Sequence, residues 1–173
     1  MNRVIIITGT RKGIGNYLAQ QYLADGDIVY GCSRRNCDIE HPNYKHVRLD
    51  VSDEPSVVEF VRNVYKEQKR IDVLINNAGM ASMNHVLLTP KATAERVFNT
   101  NFMGTFLMSR ECAKYMIKKK EGRIVNYSTV AVALNLQGEL VYSSSKAAIE
   151  QLTRVLAGEI GESGVTVNAV GPT

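Results

Sequence analysis

This sequence predicts an α/β fold, a doubly wound parallel sheet of about six strands in a single domain spanning residues 1–173. Three observations carry the prediction. Short β-branched runs alternate with longer stretches of helical period along the whole chain. Several runs, VIII at positions 4–7 first among them, are continuously apolar, as parallel strands buried on both faces must be. A glycine-rich turn, TGTRKGIG, joins the first run to the first helical stretch.

The elements follow in order. A strand is expected over 3–8, then a helix over 14–25 and a second strand over 27–32. The third strand, 45–50, follows too soon for an ordinary crossover. Only ten residues, RNCDIEHPNY, separate Arg34 from Lys45, and a helical parallel crossover takes about a dozen or more. A loop or single turn is expected there, beside a sheet edge more exposed than usual. The helix over 54–69 has Asp53 as its N-cap and Pro55 in its first turn, where proline is tolerated. A strand over 73–76 leads, through a short helical piece, to one long helix over 92–119. Its Lys118-Lys119-Lys120 run before Gly122 reads as a solvated helix C-terminus complementing the dipole. Strand 123–128, helix 140–162 and strand 166–170 complete the pattern.

Composition excludes several classes. Positive charge is scattered outside Arg34-Arg35 and the lysine run, with a net charge of +4, so no nucleic-acid partner is expected. The cysteines Cys32, Cys37 and Cys112 are odd in number and lack metal-like spacing, which suggests a reducing, cytoplasmic location. His41, His46 and His85 are dispersed, so no metal is expected. No apolar run approaches the roughly 20 residues of a membrane span, and none is expected to cross one.

The chemistry begins in the glycine loop. Gly9, Gly13 and Gly15, with Ile14 between the last two, suit a tight turn, close backbone approach to a pyrophosphate and helix-on-strand packing. The helix N-terminus adds unpaired N–H groups and positive potential. At the end of the second strand a dinucleotide fold places an acid for NAD or an arginine for a 2′-phosphate. Here Ser33 takes the acid's place, Arg34 and Arg35 follow, and Arg11 and Lys12 add charge from the loop. NADP(H) is therefore favoured over NAD(H); the plainer alternative is a set of surface cations.

The GxxxGxG spacing of this loop resembles the short-chain dehydrogenase/reductase family, with a β-ketoacyl reductase-like cast. Further motifs follow in that family's order: LDV at 49–51, NNAG at 76–79, NTNFMG at 99–104, IVNYST at 124–129, YSSSK at 142–146 and VNAVGPT at 167–173. The resemblance implies a Rossmann-like sheet with Asp50 and Val51, ending the third strand, against adenine. It also implies Asn77, Ala78 and Gly79 flanking the cofactor, although NNAG reads equally as a structural turn in which Asn76 and Asn77 stabilise the sheet. Pro172 is carried over as a further cofactor contact.

Tyr142 and Lys146 lie four apart, on one face of the helix expected over 140–162. A free phenol has a pKa near 10, too high for efficient proton exchange at neutral pH, and a neighbouring ammonium lowers it. By resemblance Tyr142 is the general acid and Lys146 its tuning cation and the anchor of the nicotinamide ribose. Asn101 matches a residue that anchors a relay water; the alternative is a helix-interior asparagine bonded to backbone. The family's catalytic hydroxyl stands thirteen residues before the tyrosine, which is Thr129, with Ser128 the neighbouring candidate.

Family members continue beyond this point with a cofactor-closing loop, substrate-covering helices and a final strand. Against that pattern the chain reads as C-terminally short, with Thr173 where a glycine usually stands. The 173-residue form is expected to be weakly active or inactive, with its sixth strand an unprotected edge. The leading reading is an NADP(H)-dependent oxidoreductase interconverting a ketone and a secondary alcohol, acting as a homodimer or homotetramer on a small-molecule substrate. Alternatives are a non-catalytic dinucleotide-binding or sensing protein, which the intact Tyr–Lys pair disfavours, and nucleotide-sugar epimerase or dehydratase chemistry, which GxxxGxG and NNAG disfavour.

Overall fold

In the computed structural model, which describes residues 2–172, the first strand, β1 (Val4–Thr8), is buried along its whole length. Val4 and Ile6 join one hydrophobic core, Ile5 and Ile7 the other. This is the two-residue period of a strand with both faces dry. Burying each such isoleucine contributes about 1.5–3 kcal/mol. Met1 and Thr173, the ends of the expected domain, lie outside the described residues.

The chain continues as α1 (Gly13–Ala24), β2 (Ile28–Ser33), β3 (Tyr44–Arg48), α2 (Glu54–Gln68) and β4 (Val73–Asn76). It then forms α3 (Lys91–Phe98), α4 (Gly104–Lys119), β5 (Gly122–Tyr127), α5 (Ala131–Leu134), α6 (Leu140–Ile160) and β6 (Val165–Val170). All pairings are parallel, in the order β3-β2-β1-β4-β5-β6. The order reverses between β1 and β4, and a doubly wound sheet opens its ligand crevice beyond the strand ends at such a switch point. Residues of α2, α4 and α6 pack into one core, and α1 covers the other face.

The short β2–β3 link carries no helix, and β3 is an edge strand with only Tyr44 buried. Asp53 caps α2 by accepting the Ser56 N–H at 3.2 Å, with Pro55 in the first turn. β6 is the opposite edge, where Asn168, Ala169 and Val170 are exposed.

Three expectations need correction. The helix over 92–119 is α3 and α4 joined through a π-turn, Asn99–Met103. Such turns insert a residue into a helix and are frequent at functional sites; no apolar period announces one. The third strand ends at Arg48, not Asp50. Asp50 Oδ1 accepts the Ser52 N–H at 3.0 Å and its hydroxyl at 2.7 Å, and that local turn competes with the ladder. The lysine run is only partly solvated, because Lys119 Nζ lies 2.7 Å from Asp72 and 3.0 Å from Glu121. The single turn α5 was not foreseen.

Candidate active site

A cleft of about 680 Å³ opens above the switch point. It is lined by Gly9, Arg11 and Lys12 of the loop after β1, by Ser33, Arg34 and Arg35 at the end of β2, and by Asp50 and Val51 past β3. Asn77, Ala78 and Gly79 past β4 form the far wall. The volume is that of a small-molecule or cofactor site.

The loop after β1 is held by side chains, so its shape does not depend on a ligand. Thr8 Oγ1 accepts the N–H groups of Asn77 and Ala78 at 3.0 and 2.9 Å. Asn77 Nδ2 in turn donates to Thr8 O at 2.9 Å and Gly9 O at 3.3 Å. The C-terminal ends of β1 and β4 are thereby stitched together. Gly9 sits at φ +78°, where a side chain would be strained, and a Cβ on it would lie 2.9 Å from Asn77 Nδ2. A Cβ on Gly15 would collide with the same amide and lie 2.5 Å from Gly9 O. Both roles open to NNAG are thus filled: Asn77 braces the loop and, with Ala78 and Gly79, also lines the wall. Asn76 points elsewhere: its Nδ2 donates to Asn126 Oδ1 at 2.8 Å and Ser109 Oγ at 2.9 Å, tying β4 to β5 and α4.

Four cations, Arg11, Lys12, Arg34 and Arg35, face this cleft, and among the described residues none is in an ion pair with a carboxylate. Cations left unpaired around one concavity form an anion-attracting field.

Beyond Gly79 the cleft meets α6. A Cβ on Gly79 would lie 3.5 Å from Lys146 Nζ and 3.3 Å from Asn101 Oδ1. Lys146 is 5% exposed, and its ammonium donates to Tyr127 O, at the end of β5, at 2.7 Å. One hydrogen bond does not replace the lost water, and burial pushes its pKa down to about 8. Its nitrogen lies 6.0 Å from the Tyr142 ring centroid. The i, i+4 spacing thus becomes an actual pairing, with the phenol half-exposed and the ammonium buried.

Asn101, fully buried in the π-turn, spends its side chain on protein partners. Oδ1 accepts the Met80 N–H at 2.8 Å, and Nδ2 donates to Met80 O at 3.0 Å and Ser145 Oγ at 2.9 Å. It braces the segment after β4 against the helix bearing Tyr142. Its side chain thus bonds the remote Met80 backbone and the Ser145 hydroxyl, and the π-turn aims it there.

The two hydroxyl candidates separate cleanly. Ser128 is buried and donates to Glu150 Oε1 at 2.6 Å, on the side of α6 away from the cleft. Thr129 is half-exposed, its Oγ1 accepting the Ala131 N–H at 3.3 Å at the start of α5. Thr129, chosen by register, keeps its own O–H free to donate.

Some expected residues do not line the cleft: Asn101, Ser128, Thr129, Tyr142 and Lys146 lie outside its lining, as do four residues expected to touch the cofactor. Gly13 and Ile14 begin α1 outside its lining, and Ile14 is 46% exposed. Gly15 acts through packing, from beneath the loop. Pro172 is an exposed residue past β6 that lines no part of it. Conversely, Thr100, Cys32 and Leu49 line the cleft without having been singled out, and Ser145 and Glu150 support the catalytic candidates. Ser145 had a signal, since it lies inside YSSSK; Glu150 had none, because its partner is remote in sequence.

Comparison with known proteins agrees with this geometry. The family model for short chain dehydrogenase matches residues 3–173. A 3-ketodihydrosphingosine reductase from Bacteroides thetaiotaomicron is 35% identical over 98% of this chain and 63% of its own length. A 3-oxoacyl-[acyl-carrier-protein] reductase FabG from Buchnera aphidicola is 32% identical over 98% of this chain and 72% of its own. The chain thus spans under two thirds of the first relative and somewhat more of the second. The solved structure of ElxO with NADP bound superimposes with a TM-score of 0.94 at 32% identity, covering 99% of this chain and 73% of that one. A match over nearly the whole chain, at this identity and with the sheet superimposing so closely, makes this protein a member of the short-chain dehydrogenase family.

Proposed function

We propose that this protein is an NADP(H)-dependent oxidoreductase that interconverts a ketone and a secondary alcohol. The observation that carries the reading is the Tyr142–Lys146 pair, with Lys146 packed behind the wall residue Gly79 of a cleft lined by four cations that pair with no carboxylate among the described residues. The residues present fit a dinucleotide: Gly9 and Gly15 leave backbone where a Cβ would intrude, and the cations suit phosphates. Gly9 would let the backbone approach the pyrophosphate, Asp50 and Val51 would hold the adenine, and Ser33 with Arg34, Arg11 and Lys12 the 2′-phosphate. When bound, the cofactor supplies or accepts the hydride.

The chain's own residues handle the proton. Tyr142 Oη gives its proton to the carbonyl oxygen during reduction and recovers one from the alcohol during oxidation. Either direction therefore has a phenolate at one end, which the Lys146 ammonium stabilises. Lys146 has one donor on Tyr127 O, leaving two for the ribose and the phenol. Thr129 Oγ donates to the carbonyl oxygen and orients it. Asn101, through Met80 and Ser145, keeps the wall after β4 in register with α6. Both relatives are named for reduction of a 3-keto or 3-oxoacyl compound, and by that likeness the substrate here is a ketone of related type.

Assembly belongs to the same proposal. α4 and α6 share an apolar groove with exposed Phe106, Ile117 and Val155, and its burial between copies would give a homodimer or homotetramer. The three free thiols suit the cytoplasm; among the described residues no helix is long and apolar enough to cross a membrane.

Fluorescence titration with NADPH and NADH, followed by a ketone panel, tests the proposal. NADPH should bind at least tenfold more tightly, by roughly one phosphate contact's worth, and at least one ketone should be turned over. Tight NADPH binding with no turnover of any ketone would favour the non-catalytic sensor instead.

A further inference from the structure

We infer that His46 is a positioning residue for the 2′-phosphate of the cofactor, a reading that rests on the NADP(H) proposal above. The imidazole stands on β3, opposite Gly31 of β2, and joins the loop after β1 to the end of β2. On one side its Nδ1 lies 3.0 Å from Tyr44 Oη and 3.3 Å from Thr10 Oγ1. On the other its Nε2 lies 3.1 Å from Ser33 Oγ and 3.0 Å from Arg35 O.

The chemistry of these partners sets the tautomer. Arg35 O can only accept, so Nε2 carries the proton. Nδ1 is then an acceptor in the neutral ring, filled by a hydroxyl of the Tyr44–Thr10 pair, whose oxygens are 2.9 Å apart. That pair is buried, with Thr10 fully so, and a Cβ on Gly31 would collide with Tyr44 Oη. The glycine in β2 therefore makes room for the hydroxyls that orient the imidazole. This is a built arrangement in which every polar atom of the ring has a partner.

Its consequence lies at Ser33. The Ser33 hydroxyl donates to Arg35 O at 2.6 Å, so its single proton is committed within the protein. His46 Nε2–H reaches that same carbonyl. When an anionic oxygen arrives, Nε2–H keeps Arg35 O paired, so the Ser33 O–H can turn to the phosphate without leaving that carbonyl unpaired. The exchange preserves the backbone turn that carries Arg34 and Arg35 into the cleft. A cofactor with a 2′-hydroxyl offers only a neutral acceptor and gains less from the exchange than an anionic phosphate does. His46 thus acts on phosphate selectivity through Ser33 and the Arg35 carbonyl, without contacting the reacting atoms.

The test is the ratio of NADPH to NADH dissociation constants, titrated by fluorescence on the intact protein and on His46→Ala, His46→Gln and His46→Asn. Glutamine carries an N–H to where Nε2 stands; asparagine does not reach it. His46→Ala and His46→Asn should weaken NADPH by about tenfold, the worth of one good hydrogen bond, and leave NADH within about twofold. His46→Gln should restore most of the NADPH affinity. Equal weakening of both cofactors, no weakening of either, or a Gln variant as poor as Ala would each overturn the inference. Should His46→Ala not fold, the Gln and Asn pair still decides it. If the unaltered protein prefers NADH, the cofactor reading itself fails; if it prefers NADPH and all variants keep that ratio, only the role of His46 fails.

Discussion

The two ends of the cleft are built differently. At the dinucleotide end, the loop after β1 is stitched to β4 through Thr8 and Asn77, and the end of β2 is clamped by His46. At the substrate end, the segments after β4 and around α5 carry Met83, Leu87, Leu88 and Leu134 at 76%, 84%, 77% and 60% exposure. Among the described residues, a single backbone bond joins those two segments, from Asn84 N to Gly138 O at 2.8 Å. One end is cross-bonded within the protein; the other presents apolar side chains to solvent. A cofactor common to many reactions needs a preformed cradle, whereas a substrate is chosen by side chains that pack only around it.

The sharpest way to break this contrast is to remove the proposed proton donor. Tyr142→Phe should lower turnover by about 10²–10⁴-fold while NADPH binding stays within a few-fold, measured by steady-state kinetics and titration. Retained turnover would remove Tyr142 from the mechanism. Next comes the cross-bonded end itself. Gly15→Ala places a Cβ against Asn77 Nδ2 and Gly9 O, so the loop must shift. Cofactor binding should be lost and unfolding free energy should fall by about 1–3 kcal/mol, read by denaturant titration. A flexible loop would absorb the methyl with neither effect.

The paired hydroxyls give a finer test. Thr129→Ala should reduce turnover by about 10–100-fold with little change in stability, whereas Ser128→Ala, which strands Glu150, should cost about 1 kcal/mol of stability with turnover nearly unchanged. The reverse pattern would mean that the strand register places Ser128 in the cleft. The smallest effect is on pH. With its pKa pushed down to about 8, Lys146 loses the ammonium that stabilises the phenolate, so kcat/KM should decline above about pH 8. Lys146→Arg should remove that alkaline limb, whatever its effect on the plateau. The linked stability has the opposite sign: between about 8 and the ordinary 10.5 the unfolded chain binds more protons at this position, so this group makes the protein more stable as pH rises.

Legibility in the sequence followed the range of the interactions involved. The strand–loop–helix at 4–24 could be read because its constraints are local: a continuous apolar run, then glycines where backbone must come close. The absent helix between β2 and β3 could be read by counting residues. The π-turn could not, since it is stabilised by Asn101 reaching Met80 and Ser145, twenty-one and forty-four residues away. Pro172 was carried over by likeness alone and stands outside the cleft. Ser128 and Thr129 differ by one residue, and their roles were separable only once strand β5 had a face and Glu150 a position.

The sequence by itself determined the parallel α/β order, the glycine loop, the cations at its phosphate end and the Tyr142–Lys146 spacing, because each is a short-range pattern of volume, charge or period. The tertiary structure alone decided what those residues touch. It buried Lys146 against Tyr127 O, turned Asn77 and Asn101 into braces, sent Ser128 to Glu150 and set His46 between Thr10 and Ser33. Hydrogen bonds between remote segments depend on distances of a few tenths of an ångström, and only the packed sheet and helices set those.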